Sequence, residues 1–283
     1  MRTRALIGIA ALLIAALACL SFFSHWPVHS SALPDDAASR QPVIVELFTS
    51  EGCSSCPPAD SLLAKLAQDQ PFEGIEILPL EEHVDYWNSL GWTDPFSSVD
   101  FSRRQEQYAV VLPDGGVYTP QMIVDGRAQF IGNRTHEARD QIRWAASHPK
   151  ARLLLTPLPP QNTRTRSFEL RLDNSQPSRA GILPTFGSAP VNSTTLDLWI
   201  ALTEKNLRSK VSSGENSGAT LQHAPVVRLL HKLQSPSKPL NAPIQFSLDL
   251  DEHWVPANLT VIAFLANPQS HQITAAGSVP VAP

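Results

Sequence analysis

The chain has 283 residues, of which 42% are hydrophobic and 17% are charged, and its formal net charge is -4. This composition excludes a disordered chain, which would be poor in apolar residues, and the acidic balance argues against a partner that is a nucleic acid. The length predicts about two domains. The 25 prolines outnumber the 13 glycines, which favours β-strand edges and extended connections over a helical bundle.

Residues 1–32 have the pattern of an export signal. Arg2 and Arg4 precede an uncharged apolar run, Ala5–Phe23, and the small residues Ser30–Ala32 fit a cleavage site. The run is also long enough to span a bilayer as an uncleaved anchor, and Cys19 leaves a lipoprotein as a third alternative. In each case we expect an exported protein, periplasmic or extracellular, with a mobile linker over residues 33–41.

Residues 42–148 show the element order of an α/β domain. The apolar run Val43–Phe48 is typical of a buried strand, and the apolar spacing then changes to that of a helix. Strand, helix and strand in this order are the unit of a parallel sheet. The predicted elements are a strand over 43–48, a helix over 53–68, a strand over 75–80, an irregular segment over 83–96, a helix over 97–110, a hairpin over 117–130 and a helix over 135–147.

From residue 149 onward the pattern is β-rich. Short alternating runs are separated by turns rich in proline and serine, and such regular spacing predicts a β-sandwich. We therefore predict a sandwich-like domain over residues 149–283. Its candidate strands are 152–155, 167–172, 195–203, 226–233, 244–250 and 259–265.

The stretch that carries chemistry is Cys53-Ser54-Ser55-Cys56, between the first strand and the first helix. Because Cys19 belongs to the export segment, these are the two cysteines of the mature chain, and such a pair is either a redox pair or half of a metal site. Cys53 is expected at the helix N-terminus, where unpaired N–H groups and the helix dipole stabilise a thiolate. This predicts Cys53 as the attacking nucleophile and Cys56 as the resolving thiol.

Two further positions suit thiol chemistry. Glu46 is an acid in an otherwise apolar strand, and as a buried acid it is predicted to exchange a proton with Cys56. Tyr118-Thr119-Pro120 opens the later hairpin. A cis bond before Pro120 would place the Thr119 backbone beside the sulfurs, able to pair with a bound peptide, and the sequence leaves cis or trans open.

The element order over residues 41–148 resembles the thioredoxin fold. The string Val45–Asp60 (VELFTSEGCSSCPPAD) is similar to a family of secreted, thioredoxin-like bacterial proteins catalogued as a domain of unknown function. His83–Trp87 (HVDYW), Val117–Met122 (VYTPQM) and Gly214–Gly218 (GENSG) match the same family. The resemblance covers nearly the whole mature chain. It implies an α/β thioredoxin-like domain followed by a β-rich C-terminal domain, and it implies little about the reaction.

The sequence departs from that family at Glu81 and Glu82, where apolar residues are usual, and these acids are expected to place negative charge near the site. His83 follows the second strand, and the end of a parallel strand faces a ligand crevice. His83 and Asp85 are therefore expected either to approach the cysteines or to form a local polar pair.

Aromatic and turn residues complete the set of candidates. Trp87, Tyr118, Thr119 and Pro120 are the candidate substrate-binding residues, with packing as the alternative role for Trp87. In the second half of the chain, three residues are interpreted either as turn formers or as a cover over the active site: Glu215, Asn216 and His223.

The leading functional prediction is a thiol–disulfide oxidoreductase that needs no cofactor beyond the Cys53–Cys56 disulfide. Its substrate would be a protein or peptide thiol or disulfide, and its redox partner is not identified by the sequence. One alternative is a metal-binding protein, for instance for copper, with Cys53, Cys56 and His83 as ligands. The other is an interaction protein without catalysis, in which the disulfide is structural.

Overall fold

The computed structural model describes residues 40–113, 115–160, 162–173, 196–233 and 242–281. The predicted export segment and most of the predicted linker lie outside these residues, and none of the helices within them combines the length and hydrophobicity needed to cross a bilayer. The helices are α1 (Pro57–Asp69), α2 (Val99–Val111) and α3 (Thr135–Ser147). The strands are β1 (Gln41–Thr49), β2 (Ile75–His83), β3 (Gln121–Val124), β4 (Ala128–Ile131), β5 (Ala151–Pro157), β6 (Thr165–Leu172), β7 (Asp197–Glu204), β8 (Arg208–Lys210), β9 (Thr220–Gln222), β10 (Val226–Leu233), β11 (Ile244–Asp249), β12 (Leu259–Ala266) and β13 (Ile273–Pro280).

Eleven of these strands form one mixed sheet, in the order β11-β6-β5-β13-β12-β7-β10-β2-β1-β3-β4. Strand β1 runs parallel to β2, with Gln41 opposite Ile75 and Thr49 opposite His83. Strand β10 continues the sheet on the other side of β2, where Val226 lies opposite Glu81. The main-chain N–H of Glu81 donates to the Pro225 carbonyl oxygen at 3.2 Å.

The predicted fold class, an α/β thioredoxin-like domain followed by a sandwich-like domain, is therefore wrong. The strands of the two halves of the chain are joined edge to edge in one sheet and do not form a separate sandwich. The change in composition at residue 149 marks where short strands and proline-rich turns begin. It carries no information about which strand edges pair, because pairing depends on contacts between residues far apart in sequence.

The individual elements agree well with the predictions, apart from their ends. The helix predicted from residue 53 begins at Pro57, and the second strand continues to His83. Three strands were missed: β8, β9 and β13. Strand β13 has the sequence ITAAGSVP, whose small residues show neither the alternation nor the bulk that identifies a strand.

The two faces of β1 are both covered, which explains its nearly continuous apolar sequence. Val43, Val45 and Leu47 pack with α1 and α3 on one face. Ile44 and Phe48 lie on the other face, where α2 packs. Glu46 alternates with these last two residues, so it points to the α2 side, away from α1.

We expect Gly277→Ala to lower the free energy of unfolding by roughly 3 kcal/mol, because the new methyl group has no room. Its Cβ would lie 1.9 Å from the Leu153 carbonyl oxygen of β5, the strand beside β13. Urea unfolding measures the change. The control is Gly116→Ala, whose Cβ would meet only a ring carbon of Tyr118 at 4.0 Å. Equal stability of the two variants would contradict the close approach of β13 and β5.

Candidate functional site

The site is built around a disulfide between Cys53 and Cys56, whose Cα atoms are 5.5 Å apart. It lies in the loop between β1 and α1. The Cys53 N–H donates to the Ser50 carbonyl oxygen at 3.1 Å, and the Cys56 N–H donates to the Cys53 carbonyl oxygen at 3.2 Å. Both cysteines are 0% exposed, whereas Ser54 and Ser55 between them face solvent.

Helix α1 begins directly after the disulfide, with Cys56 as its N-cap and Pro57 as its first residue. The helix N-terminus expected at Cys53 is thus three residues later in the chain. Pro57 and Pro58 have no N–H groups, so the first turn lacks two of the donors that were expected to stabilise a thiolate. The N–H groups of the next two residues, Ala59 and Asp60, both donate to the Cys56 carbonyl oxygen, so the helix dipole is what remains to stabilise a thiolate.

A turn from the second half of the chain covers the disulfide, and we call Ser213–Ser217 the cover turn. The Asn216 amide donates to the carbonyl oxygens of Glu51 and Cys53, at 2.8 and 3.0 Å. The Ser54 N–H donates to a Glu215 carboxylate oxygen at 3.0 Å. Hydrogen bonds from the Ser54 side chain and then from its main chain hold the pKa of Glu215 below its usual value. The cover turn is therefore bonded to the disulfide loop at Glu51, Cys53 and Ser54.

Trp87 connects the disulfide loop to the hairpin formed by β3 and β4. Its indole N–H donates to the Thr119 hydroxyl at 2.8 Å. A Cβ placed on Gly52, the residue before Cys53, would be 3.3 Å from the Trp87 Cβ. The bond between Thr119 and Pro120 is cis. The structure thus places Trp87 and Thr119 in contact with each other beside the disulfide loop.

The other two candidate substrate-binding residues, Tyr118 and Pro120, flank Thr119 in the chain. Pro120 and the first turn of α1 both lie close to Gly132. A Cβ placed on Gly132 would be 3.3 Å from the Pro120 Cβ and 3.0 Å from the Ala59 Cβ. The Tyr118 carbonyl oxygen accepts from the Gln105 amide at 2.7 Å. Tyr118 is therefore anchored through its main chain to α2.

Glu46 has a different environment from the one expected for a proton donor to Cys56. Its carboxylate accepts from the Arg104 guanidinium at 2.6 Å and from the Tyr108 hydroxyl at 2.5 Å. A second buried acid, Glu82, lies 3.6 Å from the same guanidinium. Burial, and next to it the charge of Glu46, hold the pKa of Glu82 well above its usual value. Glu46 is thus paired on the α2 face of the sheet, opposite α1.

A buried cluster of histidines and acids lies on the α1 face of β2. His83 Nδ1 lies 2.7 Å from Asp94 Oδ2, and His83 Nε2 lies 3.1 Å from Glu81 Oε1. His223 Nδ1 lies 3.1 Å from that same oxygen of Glu81, and His223 Nε2 lies 3.1 Å from Glu51 Oε1. Both acids of the Glu81–Glu82 pair are buried, and Glu81 places its carboxylate within this cluster.

The carboxylates of this cluster raise the pKa of both histidines. Burial lowers the pKa of His223, but Glu51 and Glu81 outweigh it and raise the pKa to about 9. Burial acts in the same way on His83, and Asp94 and Glu81 raise the pKa of His83 well above its usual value. Both imidazoles are therefore held in their charged form by carboxylates at neutral pH.

The ligand set of the copper alternative, Cys53, Cys56 and His83, is not assembled in this structure. The sulfurs of Cys53 and Cys56 are bonded to each other, and the two ring nitrogens of His83 face the carboxylates of Asp94 and Glu81. Asp85 does not join His83, since its carboxylate accepts from the Ser102 hydroxyl. Within the part of the chain that the structure describes, one group of side chains has potential metal-ligand atoms that all lie within 4.8 Å of one another. It consists of Glu81, His83 and His223.

Asp60 is a residue of the site that the sequence analysis missed. It lies four residues after Cys56, and its N–H donates to the Cys56 carbonyl oxygen at 3.2 Å. Its carboxyl group is buried and accepts from the Thr49 hydroxyl at 2.6 Å. Burial, together with the charge of Glu81, raises the pKa of Asp60 to about 8. The available signal was an acid one turn after a cysteine, on the apolar face of the helix.

Fold and site together define a mixed α/β protein with a covered C-x-x-C disulfide. Residues 44–266 match a family described as "Protein of unknown function (DUF1223)", and the chain belongs to this family. No curated protein matches the sequence.

Solved structures show which folds are similar. The crystal structure of a protein from Agrobacterium tumefaciens is 23% identical, covers 85% of this chain and 94% of its own, and has a TM-score of 0.57, so the two share a fold. A domain of the outer membrane lipoprotein Omp28 from Porphyromonas gingivalis is 9% identical over 47% of this chain and 89% of its own, with a TM-score of 0.26. A hypothetical protein from Pyrococcus horikoshii is 12% identical over 47% of this chain and 88% of its own, with a TM-score of 0.24.

We expect Asn216→Ala to make the Cys53–Cys56 disulfide about tenfold easier to reduce, because two hydrogen bonds that hold the cover turn are lost. The rate of reduction by dithiothreitol is measured by alkylating the freed thiols at a series of times and determining the mass of the protein by mass spectrometry. Asn258→Ala, which removes an exposed amide bonded to Asn206, is the control and should leave the rate unchanged. An unaltered rate in Asn216→Ala would show that the cover turn does not limit access to the sulfurs.

Proposed function

We propose that this protein is an exported thiol–disulfide oxidoreductase in which Cys53 and Cys56 alternate between a disulfide and a dithiol. The observation that carries the proposal is the position of Asp60. It places a buried acid with a pKa of about 8 one helical turn after Cys56, on the same side of α1. A proton acceptor is most effective when its pKa lies near the working pH, and an unperturbed thiol has a pKa of about 8.5.

The reaction begins with the reduced protein. The Cys53 thiolate attacks one sulfur of a substrate disulfide, so that a mixed disulfide forms and the other substrate sulfur leaves as a thiolate. The Cys56 thiol then gives its proton to the Asp60 carboxylate. The resulting Cys56 thiolate attacks the Cys53 sulfur, which forms the Cys53–Cys56 disulfide and releases the second substrate thiolate. Two electrons pass from the protein to the substrate, and the reverse sequence oxidises a substrate dithiol.

Substrate binding is assigned to the surface beside the disulfide loop. Trp87 and Thr119 are joined by a hydrogen bond, and Pro120 lies next to the first turn of α1. The half-buried ring of Trp87 suits contact with a peptide or protein substrate. Since both cysteines are buried, part of the structure around them must move before the substrate reaches Cys53. We assign this movement to the cover turn, which is bonded to the disulfide loop.

A structural disulfide is the second candidate function, and the full burial of Cys53 and Cys56 favours it. A loop of this length contributes little to stability in the chain-entropy picture, which weighs against a purely structural role. A reduction potential far below about -300 mV would support the structural role, because such a disulfide resists exchange with thiol pools.

In the first test, reduced Cys56→Ser protein is mixed with a peptide disulfide. We expect a stable mixed disulfide at Cys53, because the resolving thiol is missing, and intact-mass spectrometry detects it. The matched variant Cys53→Ser should react at least about tenfold more slowly, since Cys53 is the proposed nucleophile and Cys56 only the resolving thiol. If neither variant forms a mixed disulfide, or if Cys53→Ser reacts faster, the assignment of the nucleophile is wrong.

In the second test, Asp60→Asn is compared with the wild type in the rate of disulfide reduction between pH 6 and 9.5. At pH 6 the protonated Asp60 supplies the proton that the leaving Cys56 sulfur takes, so the wild type should be at least about tenfold faster. This advantage should disappear as the pH rises through about 8, where Asp60 loses its proton. Taking the ratio of the two rates cancels the titration of the reductant.

The control for this comparison is Asp69→Asn, which removes an exposed acid at the other end of α1. It should match the wild type at every pH. A rate ratio for Asp60→Asn that does not change with pH would remove Asp60 from the mechanism, while leaving the trapping result to decide on the cysteines.

A further inference from the structure

We propose that Glu81, His83 and His223 form a binding site for a divalent transition-metal ion of the zinc type, separate from the disulfide. Glu81 and His83 are two residues apart on β2, so their side chains lie on the same face of the sheet. His223 follows β9 directly and reaches the same point from the second half of the chain. All three side chains are buried.

The distances between the ligand atoms suit a metal ion. Glu81 Oε1 lies 3.1 Å from His83 Nε2 and 3.1 Å from His223 Nδ1, and all three atoms lie within 4.8 Å of one another. In a tetrahedral zinc site with bonds of about 2.0–2.1 Å, neighbouring ligand atoms are about 3.3 Å apart. Small movements of three side chains, together with the release of one proton from each imidazole, would therefore admit an ion between them.

Each imidazole is held from behind by a second carboxylate. Asp94 Oδ2 lies 2.7 Å from His83 Nδ1, and it also accepts the Glu51 N–H at 2.8 Å. Glu51 Oε1 lies 3.1 Å from His223 Nε2, where the Ser209 hydroxyl is also near, at 3.2 Å. A carboxylate behind each ligating histidine fixes which nitrogen faces the ion, and this arrangement recurs in metal sites.

An independent observation is that the second oxygen of the Glu81 carboxylate is unpaired. Glu81 Oε2 is buried, and among the described residues it has no hydrogen-bond partner. Burying a carboxylate oxygen without a partner is costly. The carboxylates of Glu51, Glu81 and Asp94 also outnumber the two imidazoles that face them. A dication bound to Glu81 would give this carboxylate a further partner, and it would take the place of the two protons that the imidazoles carry, so the net charge of the cluster would stay the same.

Access to the site is provided beside Phe96. The Phe96 ring packs against both imidazoles, with centroids 5.4 Å from His83 and 5.1 Å from His223. The same ring lines a surface cavity of about 350 Å³, which also contacts Arg228 and Trp254. Phe96 thus separates the cluster from solvent in the cavity, and a rotation of its ring would open a route for the ion.

The type of ion follows from the ligands. Two imidazoles and one carboxylate suit zinc and its neighbours in the first transition row, whereas calcium and magnesium prefer oxygen ligands alone. Three protein ligands leave one position of a tetrahedral site for water. Zinc is the probe for the test, because it has no redox chemistry that would act on the neighbouring disulfide.

The test measures zinc binding by the oxidised full chain after removal of metal with a chelator. Equilibrium dialysis with elemental analysis should give one zinc ion per chain, and zinc should raise the temperature of unfolding. X-ray absorption at the zinc edge should show nitrogen and oxygen neighbours and no sulfur. A sulfur neighbour at about 2.3 Å, or no bound zinc, would overturn the proposal without the need for any variant.

Variants locate the site. His83→Gln and His223→Gln should each weaken zinc binding at least about 100-fold, and Glu51→Gln about tenfold, because it only positions His223. His136→Gln, an exposed histidine on α3, is the matched control and should bind zinc as the wild type does. If both ligand variants retain wild-type affinity, the ion is held elsewhere and the proposal is wrong.

The double variant Cys53→Ser, Cys56→Ser separates this site from the proposed redox function. It should abolish disulfide exchange and leave zinc binding intact. Loss of zinc binding in this folded variant would assign the ion to the cysteines and overturn the proposal. Absence of thiol exchange in the wild type would contradict the redox function alone.

Discussion

The structure depends on how strand β2 carries charge inside the sheet. Its two edges pair with β10 and β1, and its side chains are buried on both faces of the sheet. It nevertheless contains Glu81 and Glu82 next to each other, and both are buried. Adjacent residues of a strand point to opposite faces. Each face of the sheet therefore receives one carboxylate that has no access to water, and burying an uncompensated charge costs several kcal/mol.

The two faces compensate this charge in different ways. On the α2 face, Arg104 lies between Glu46 and Glu82. Burial, and next to it the charge of Glu46, holds the pKa of Glu82 well above its usual value, and the charge of Arg104 only partly opposes this. On the α1 face, Glu81 is shared by two imidazoles that come from β2 and from beyond β9. The first arrangement lies on the face opposite α1, whereas the second adjoins the disulfide loop through Glu51.

Local patterns in the sequence predicted those features whose structure is determined by residues close together in the chain. The period of the apolar residues located the helices and most strands, and the spacing of Cys53 and Cys56 located the disulfide loop. The features that were not predicted, such as the pairing of strands, depend on contacts between residues that are far apart in the sequence. Strand β10 joins β2 through Val226 and Glu81, which are far apart in sequence, and no local pattern marks such a pair.

The same limit applies to the site. Glu46 looked like a proton donor because a lone acid in an apolar strand has no visible partner, and its partner Arg104 lies 58 residues further on. His223 and Glu81 are separated by 142 residues. Asp60 is the exception, since its distance from Cys56 is local. It was missed because an acid in the first turn of a helix is commonly a favourable charge at the N-terminus, and nothing in the sequence shows that it is buried.

The β8–β9 hairpin couples the two halves of the site. Asn216, in the turn between these strands, holds the cover turn on the disulfide loop. His223 follows β9 and binds Glu81 and Glu51. Because both contacts belong to one short hairpin, the hairpin links the disulfide loop to the buried cluster. The bonds of Asn216 and those of His223 both hold it in place, so the electrostatic attraction within the cluster contributes to the free energy that keeps the hairpin on the disulfide loop.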